Sequence, residues 1–235
     1  PIRADIGNML VLQGLTFLRY AGTMVNSPEY RFKKMIGDPD KRPPYRGHWN
    51  WYTTNGFGIE EFLKFCETTA ITPCFAINIY EKPEDVADMV EYLNGNVNTE
   101  WGAKRAKNGH PKPYGVKYIE IGNEEVIFNG DNKKAYEEYV ARFNLLYEAM
   151  KKKDSSLKFV HAAWWRPESP NMEYVFRELN GKADYWDLHV GGDDPKAGLD
   201  TDKQLTDMQR MFKQWDPATQ MKVAVFEENG SKHGI

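Results

Sequence analysis

Short apolar runs alternate with amphipathic helical patterns six times along this chain, and this order is what most restricts its fold. The runs are rich in β-branched and aromatic residues, as buried strands are; they cover residues 15–20, 73–77, 116–121, 157–162, 185–189 and 222–226. Apolar residues at helical spacing predict helices over residues 5–13, 58–69, 83–93, 132–152, 171–179 and 201–215. Because strands that alternate with helices form a parallel sheet covered by helices, we predict an α/β fold.

Polar side chains stand where most of the predicted strands end. These residues are Arg19, Asn78, Glu124, His189 and Glu227. In a parallel α/β sheet or barrel the carboxyl ends of the strands meet on one face, which is where such folds carry their chemistry. We therefore expect these side chains to gather in a functional site.

The stretch from Val116 to Glu125 is the most informative of these strand ends. Gly122 lets the backbone turn or approach a ligand closely. Asn123 and Glu124 follow, so an amide and a carboxylate stand together where the strand ends. From these residues alone, a strand that ends in a solvated polar loop is an equally good interpretation.

Composition excludes several classes of protein. The chain has 235 residues, is 41% hydrophobic and 28% charged, and carries a net charge of −3, as an ordinary globular protein does. No basic block or stripe predicts nucleic-acid binding, and no apolar run approaches the ~20 residues of a membrane span. Cys66 and Cys74 are predicted to be buried structural thiols.

We predict neither a cofactor nor a metal. The chain has no Gly-rich phosphate motif. The histidines show no paired ligand spacing; they are His48, His110, His161, His189 and His233. We expect His189 to line the site and His161 to lie in the core.

Two long segments are predicted to be loops, residues 24–57 and 94–115. The first carries Trp49, Trp51 and Tyr52. Loops of this length in a compact domain are usually functional or disordered, and the aromatic content argues against disorder. Stacking on a sugar ring and packing on the rim of the fold remain equal alternatives for these side chains.

Several motifs, taken in order, span nearly the whole chain and are similar to one known family. They are Phe17-Leu-Arg-Tyr-Ala-Gly, Thr54-Asn-Gly-Phe-Gly-Ile-Glu-Glu-Phe-Leu, Phe75-Ala-Ile-Asn, Trp101-Gly-Ala-Lys-Arg-Ala-Lys-Asn-Gly-His-Pro-Lys-Pro-Tyr and Lys117-Tyr-Ile-Glu-Ile-Gly-Asn-Glu. The sequence resembles the glycoside hydrolase family 51 α-L-arabinofuranosidases. The Gly-Asn-Glu strand end is shared by a wide clan of retaining glycosidases, whereas the Gly-His-Pro-Lys-Pro-Tyr run is more specific.

The resemblance implies a TIM (β/α)8-type barrel and a role for each matching residue. Glu124 resembles the acid/base and Glu227 the nucleophile. Among the substrate-binding residues, Asn123 resembles the amide that contacts the sugar 2-hydroxyl, and Asn78 a further sugar ligand. Arg19 resembles the arginine that holds the nucleophile ionised, and Trp49 a loop tryptophan that borders the site. Apart from the resemblance, an arginine that faces the inside of a barrel needs carboxylate partners, and Glu120 is a second candidate partner for which a structural role is favoured.

The choice of Glu227 over Glu228 also depends on this resemblance. Phe226-Glu227-Glu228-Asn229 is similar to the family's Asp-Glu-Trp-Asn, in which the second residue is the nucleophile. If the strand continues, the two adjacent carboxylates face opposite sides, so only one can reach the sugar.

The resemblance has departures and gaps. Ala21-Gly22-Thr23 replaces the usual Pro-Gly-Gly, and Val190-Gly191-Gly192 follows His189 where a tyrosine-bearing turn is usual. The six strands correspond to the family's second to seventh. We therefore expect residues 1–235 to be a single, partial catalytic barrel domain without the family's C-terminal β-sandwich, and thus an incomplete barrel with open edges.

The predicted function is a retaining, exo-acting α-L-arabinofuranosidase whose partner is an arabinose-containing oligosaccharide or polysaccharide. The alternatives are an endo-glucanase or xylanase of the same clan, or a non-catalytic carbohydrate-binding barrel. A homo-oligomer of the full-length protein is left open.

Overall fold

Six parallel strands form one sheet in which each strand lies next to its neighbour in sequence. The computed structural model describes residues 2–192 and 195–229. The strands are β1 (Phe17–Tyr20), β2 (Thr72–Ile77), β3 (Tyr118–Glu125), β4 (Lys158–Ala163), β5 (Tyr185–Gly191) and β6 (Lys222–Asn229). This order agrees with the predicted α/β fold, and each predicted strand is found.

Seven helices lie between or before the strands within the described ranges. They are α1 (Ala4–Leu12), α2 (Ile59–Thr69), α3 (Pro83–Asn94), α4 (Glu100–Lys107), α5 (Lys133–Lys153), α6 (Asn171–Leu179) and α7 (Pro195–Trp215). Short 3-10 helices cover Thr23–Asn26, Phe32–Lys34 and Pro39–Lys41. None of the described helices is both long and apolar enough to cross a membrane.

The prediction of a loop over residues 94–115 is wrong, because α4 lies within it. Thr99 caps this helix by accepting a hydrogen bond from the backbone N–H of Gly102. Glu100 lies in the first turn and basic residues in the last, which suits the helix dipole. Strands β3, β5 and β6 also run further than predicted, and β3 and β6 include the polar residues expected to follow them.

The chain divides into two compact units. The first consists of the residues up to Asn123 together with Leu145–Lys158, and the second of Glu124–Asn144 together with the residues from Phe159 onward. The single catalytic domain expected over residues 1–235 stays a prediction.

The first unit is built on the buried strand β2 and the apolar faces of α2 and α3. The predicted inner face of α2 is confirmed: Ile59, Phe62, Leu63 and Cys66 are all buried. The ring of Tyr20 stacks on Phe62 at 5.2 Å and on Phe75 at 5.8 Å. Both cysteines are buried free thiols, as predicted, and burial raises the pKa of the Cys66 thiol to about 12.

The second unit has an aromatic core. Trp186 of β5 lies at its centre, edge-on to Trp165 at 5.1 Å and stacked on Phe212 of α7 at 5.5 Å. Phe176 of α6 contacts Phe212 at 4.9 Å. These contacts fix α6 and α7 against the sheet and so hold the carboxyl ends of β4 and β5 in place.

Candidate active site

The end of β3 has an unusual backbone. Gly122 has a φ of +94°, Glu124 of +48° and Val126 of +70°. Left-handed conformations are unfavourable for residues with a Cβ and are found preferentially at functional sites. This turn of the backbone sets the direction in which the Glu124 side chain leaves the strand.

Three predicted site residues meet in the second unit. Nδ1 of His189 lies 3.0 Å from Oε1 of Glu124 and 3.8 Å from Oε2 of Glu227. One carboxylate oxygen of Glu124 is within 4.8 Å of one of Glu227. The side chains of Glu124 and Glu227 are 20% and 32% exposed, so both are accessible from solvent. We call Glu124, His189 and Glu227 the carboxylate–histidine cluster.

Asp187 contacts the ring nitrogen of His189 that does not face Glu124. Its Oδ2 lies 2.7 Å from Nε2 of His189, and its Oδ1 accepts a hydrogen bond from the backbone N–H of Phe226 at 3.0 Å. Asp187 pairs with Ala224, and His189 pairs with Glu227, so β6 has one extra residue between these positions. A β-bulge of this kind re-aims side chains next to a site.

Sequence reasoning missed Asp187. The available signal was its position two residues before His189, because alternate residues of a strand face the same side. Asp187 lies inside the predicted strand rather than at its end, where the candidate site residues stand.

Of the two adjacent glutamates, Glu227 belongs to the cluster and Glu228 is exposed. Glu228 pairs with Val190 in the β5–β6 register, beyond His189. This arrangement agrees with the expected opposite orientation of the two carboxylates; the chemical role of Glu227 stays a prediction.

In the first unit, Arg19 of β1 forms a buried ion pair with Glu120 of β3. Nε donates to Oε2 at 2.5 Å and Nη2 donates to Oε1 at 2.9 Å. Nη2 also donates to Oδ1 of Asn123 at 2.8 Å. The Arg19 side chain is 6% exposed, so it does not point into solvent. Glu120, the second candidate partner, is thus a partner of Arg19; the effect of Arg19 on the nucleophile stays a prediction.

Asn123 is held on both sides. Besides the bond from Arg19, its Nδ2 donates to Oδ1 of Asn26 at 3.3 Å, and its backbone carbonyl accepts from Nδ2 of Asn26 at 2.9 Å. These bonds define which atom of the Asn123 amide is the oxygen, because arginine can only donate. No pattern in the sequence pointed to Asn26.

Asn78 and Trp49 lie in contrasting environments within the first unit. The amide of Asn78 is buried and donates to the backbone carbonyls of Val25 and Ser27, while its oxygen accepts from the N–H of Tyr80. This arrangement favours a structural role for Asn78, and direct sugar binding by its side chain stays a prediction. Trp49 is 77% exposed, so rim packing does not account for it.

The loop that presents Trp49 is ordered at its base. Tyr45 and Thr53 exchange two backbone hydrogen bonds of 2.9 and 2.8 Å. Trp51 at the tip is 81% exposed, and the guanidinium of Arg46 lies 4.2 Å from its ring centre. The loop thus displays two large rings that the fold itself does not need to bury.

A small pocket of about 40 Å³ adjoins the carboxylate–histidine cluster in the second unit. Glu124 and His189 line it together with Trp164, Asp187 and Gln204. The three cluster residues offer ligand atoms close enough to share a metal ion. Hydrogen bonds between the carboxylates and the imidazole account for these short distances without a metal ion.

His161, predicted to lie in the core, does so. It is fully buried beside Trp186, with ring centres 4.2 Å apart. Burial lowers the pKa of His161 to about 3, an effect that the carboxylate of Asp187 partly opposes.

Comparison with known proteins gives the family. Residues 12–216 match the family described as "Alpha-L-arabinofuranosidase 1 domain". The chain belongs to this family. It is 31% identical over 171 residues to α-L-arabinofuranosidase A of Aspergillus kawachii, an alignment that covers 63% of this chain and 26% of that protein.

Solved structures agree. The chain superposes on the α-L-arabinofuranosidase of Thermotoga maritima, solved with arabinose, with a TM-score of 0.78 and 26% identity, covering 97% of this chain and 49% of that one. It superposes on the family 51 enzyme of Thermotoga petrophila with a TM-score of 0.81 and 25% identity, covering 97% and 49%. The predicted family and barrel fold are therefore confirmed, and the chain spans about half the length of these solved relatives.

Proposed function

We propose that this α-L-arabinofuranosidase family member is a retaining, exo-acting glycosidase that releases arabinofuranose from arabinose-containing oligosaccharides or polysaccharides. The observation that carries the proposal is the approach of the Glu124 and Glu227 carboxylates to within 4.8 Å. Retaining glycosidases hold their carboxyl groups about 5–5.5 Å apart, whereas inverting enzymes need about 6.5–9.5 Å to admit a water molecule. The short separation supports double displacement.

In the first step, Glu227 attacks the anomeric carbon while Glu124 gives its proton to the glycosidic oxygen. The bond to the leaving group breaks and an ester of the sugar with Glu227 forms. In the second step, Glu124 removes a proton from water, which attacks the same carbon. The ester bond to Glu227 breaks, Glu227 leaves as the carboxylate, and arabinose is released with its original configuration.

The side-chain amide of Asn123 is held in one orientation. The Arg19 guanidinium holds the oxygen of Asn123, so the NH₂ group is the part of the amide that can donate to a sugar hydroxyl. Because Asn123 directly precedes Glu124 on β3, we assign it the contact with the sugar 2-hydroxyl.

The exposed tryptophans support a polymeric or branched substrate. Trp49 and Trp51 present aromatic faces on a loop with an ordered base. We assign these rings to stacking on sugar residues that do not react.

Stereochemistry tests the mechanism. The protein is incubated with an aryl α-L-arabinofuranoside in water containing methanol, and proton NMR identifies the first methyl glycoside formed. We expect the methyl α-arabinofuranoside; formation of the β-anomer would show that the enzyme inverts.

A substrate panel tests the specificity. Aryl α-L-arabinofuranoside, aryl cellobioside and aryl xylobioside are compared at equal concentration. We expect turnover of the arabinofuranoside alone. Cleavage of either disaccharide would favour an endo-glycanase, and arabinan binding without turnover of any substrate would favour a binding protein.

A further inference from the structure

We propose that Asp187 is a positioning residue, which fixes the tautomer of His189 so that Nδ1 accepts a hydrogen bond from Glu124. This inference rests on the proposed function, in which Glu124 is the general acid/base. It assigns a role to a buried carboxylate that the double-displacement mechanism does not itself use.

The surroundings of Asp187 define its protonation. Its side chain is 1% exposed, so both oxygens need partners within the protein. Oδ1 accepts from the backbone N–H of Phe226, a group that can only donate. The ionised carboxylate suits this site, and Nε2 of His189, 2.7 Å from Oδ2, must then be a donor.

The consequence appears on the other side of the ring. A neutral imidazole with its proton on Nε2 has a lone pair on Nδ1. Nδ1 lies 3.0 Å from Oε1 of Glu124, a distance that requires a proton between the two atoms. Whether this proton resides on oxygen or nitrogen, it is the one that Glu124 delivers to the glycosidic oxygen.

Two further groups near the ring, Glu227 and Trp164, are compatible with this arrangement. Oε2 of Glu227 is 3.8 Å from Nδ1, further than Glu124. The indole of Trp164 meets the imidazole edge-on with ring centres 6.0 Å apart and supplies no charge. The closer hydrogen bond of Nδ1 is therefore with Glu124.

Asp187 also has a structural contact that any test must separate from its effect on His189. Its bond to Phe226 lies at the β-bulge, one residue before Glu227. Loss of that bond would displace the end of β6 and lower every rate. The informative substitution keeps the hydrogen bond from Phe226 and exchanges donor and acceptor in the hydrogen bond with His189.

Asp187→Asn makes that change. The amide oxygen can still accept from Phe226, while the NH₂ group donates to Nε2 and forces the imidazole proton onto Nδ1. A neutral imidazole N–H then faces Glu124 and favours its carboxylate form. Substitution of this kind at a histidine-orienting aspartate retains geometry but imposes the wrong tautomer.

The readout is the dependence of kcat/KM on the leaving group. With aryl α-L-arabinofuranosides that range from dinitrophenyl to phenyl, we expect Asp187→Asn to lower kcat/KM at least about tenfold more for phenyl, since poor leaving groups need the acid. In a Glu124→Gln background the same substitution should add no further difference between the two substrates, because it acts through Glu124. Asp184→Asn is the matched control: Asp184 directly precedes β5 and accepts a backbone hydrogen bond from Phe159, and its variant should affect all leaving groups alike.

Each outcome decides one question. If Glu124→Gln shows no leaving-group dependence, the proposed function fails. If Glu124→Gln shows the leaving-group dependence but Asp187→Asn lowers the rates for all leaving groups equally, Asp187 has only a structural role and this inference is wrong. Nitrogen-15 NMR of the unsubstituted protein gives a measurement that does not depend on the variant folding: a proton on Nε2 of His189 is expected, and a neutral ring protonated on Nδ1 would overturn the proposal.

Discussion

Glu124 combines an acidic side chain with a left-handed backbone, and this is the most informative feature at the level of single residues. A φ of +48° is costly for glutamate, by about 1–2 kcal/mol. Strained backbone of this kind is found preferentially at functional sites, and Glu124 also lies at hydrogen-bond distance from His189. Its proposed role as acid/base leads to the first prediction.

Glu124→Gln should abolish hydrolysis of substrates with poor leaving groups and spare activated ones. On phenyl α-L-arabinofuranoside we expect kcat/KM to fall by about 10²–10⁴-fold, the range that a general acid contributes. On the dinitrophenyl substrate the loss in kcat/KM should be much smaller, because that leaving group departs without a proton. Glu125→Gln, at the next position of β3, is the control; equal losses of Glu124→Gln on both substrates would exclude the acid role.

His161 leads to a prediction about stability at low pH. The pKa of His161 is lowered to about 3 in the folded state because of burial, from 6.5 in the unfolded chain. Above pH 6.5 the imidazole of His161 is neutral in both the folded and the unfolded state, so its protonation does not affect the free energy of unfolding. As the pH falls from about 6.5 towards 3, the unfolded state binds a proton that the folded state rejects, and stability decreases by up to about 1.4 kcal/mol per pH unit.

His161→Leu should remove this contribution. Free energies of unfolding, measured by urea titration between pH 4 and 7, should depend less steeply on pH in the variant than in the unsubstituted protein. His48→Gln, which changes an exposed histidine, should retain the original slope. An unchanged slope in His161→Leu would mean that His161 is protonated inside the fold.

At the level of secondary structure elements, Arg42 fixes the long aromatic loop to the start of α2. Its buried guanidinium donates to both carboxylate oxygens of Glu61 at 2.7 and 2.9 Å and to the carbonyl of Gly37 at 2.7 Å. It also lies 3.4 Å from the Glu60 carboxylate. The same loop presents Trp49, so its position depends on this buried pair.

Arg42→Met should therefore destabilise the fold strongly. Removal of Arg42 leaves the buried carboxylate of Glu60 and the half-buried carboxylate of Glu61 without their counter-charge, and loss of one partner of a buried pair costs about 3–5 kcal/mol. Arg177→Met is the comparison, because Arg177 pairs with Glu173 on the surface of α6, and we expect a loss of about 0.3–0.5 kcal/mol. Similar denaturation midpoints for the two variants would show that the Arg42 network contributes little.

Elements with a buried apolar face could be predicted from sequence, and those without one could not. The α2 helix has four apolar residues on one face, so its period is clear. The α4 helix has eight residues, and among them only Gly102 and Arg105 are buried, so its signals were limited to the Thr99 cap and the charges in its first and last turns. The first turns of α7 were missed because they contain Gly198 and the exposed Leu199.

The positions of site residues could be predicted from the sequence only where a strand keeps a regular pairing with its neighbour. Strand ends identified Glu124, His189 and Glu227, which the structure brings together. The bulge in β6 could not be foreseen. Side chains are predicted to alternate between the two faces of a sheet only where each residue pairs with one residue of the neighbouring strand. For Asn78, the end of the strand was located correctly, but the carbonyls that occupy its amide belong to a loop 51–53 residues earlier in the chain.

At the level of the whole molecule, the alternation of strands and helices was sufficient for the fold class. Each α/β repeat adds one strand next to the previous one, so chain order and sheet order coincide. Family membership then gives these strands their place in a (β/α)8 barrel, whose carboxyl-end face carries the chemistry. The proposed function requires a covalent bond between the sugar and Glu227, and this is its central claim.

Trapping of the glycosyl–enzyme ester tests that claim most directly. The protein is treated with a fluorinated arabinofuranoside bearing an activated leaving group, digested, and the labelled peptide is sequenced by tandem mass spectrometry. A slowly hydrolysed ester is expected because fluorine destabilises the oxocarbenium-like transition state of its breakdown. We predict the label on Glu227; a label on Glu228 would contradict the assignment of the nucleophile.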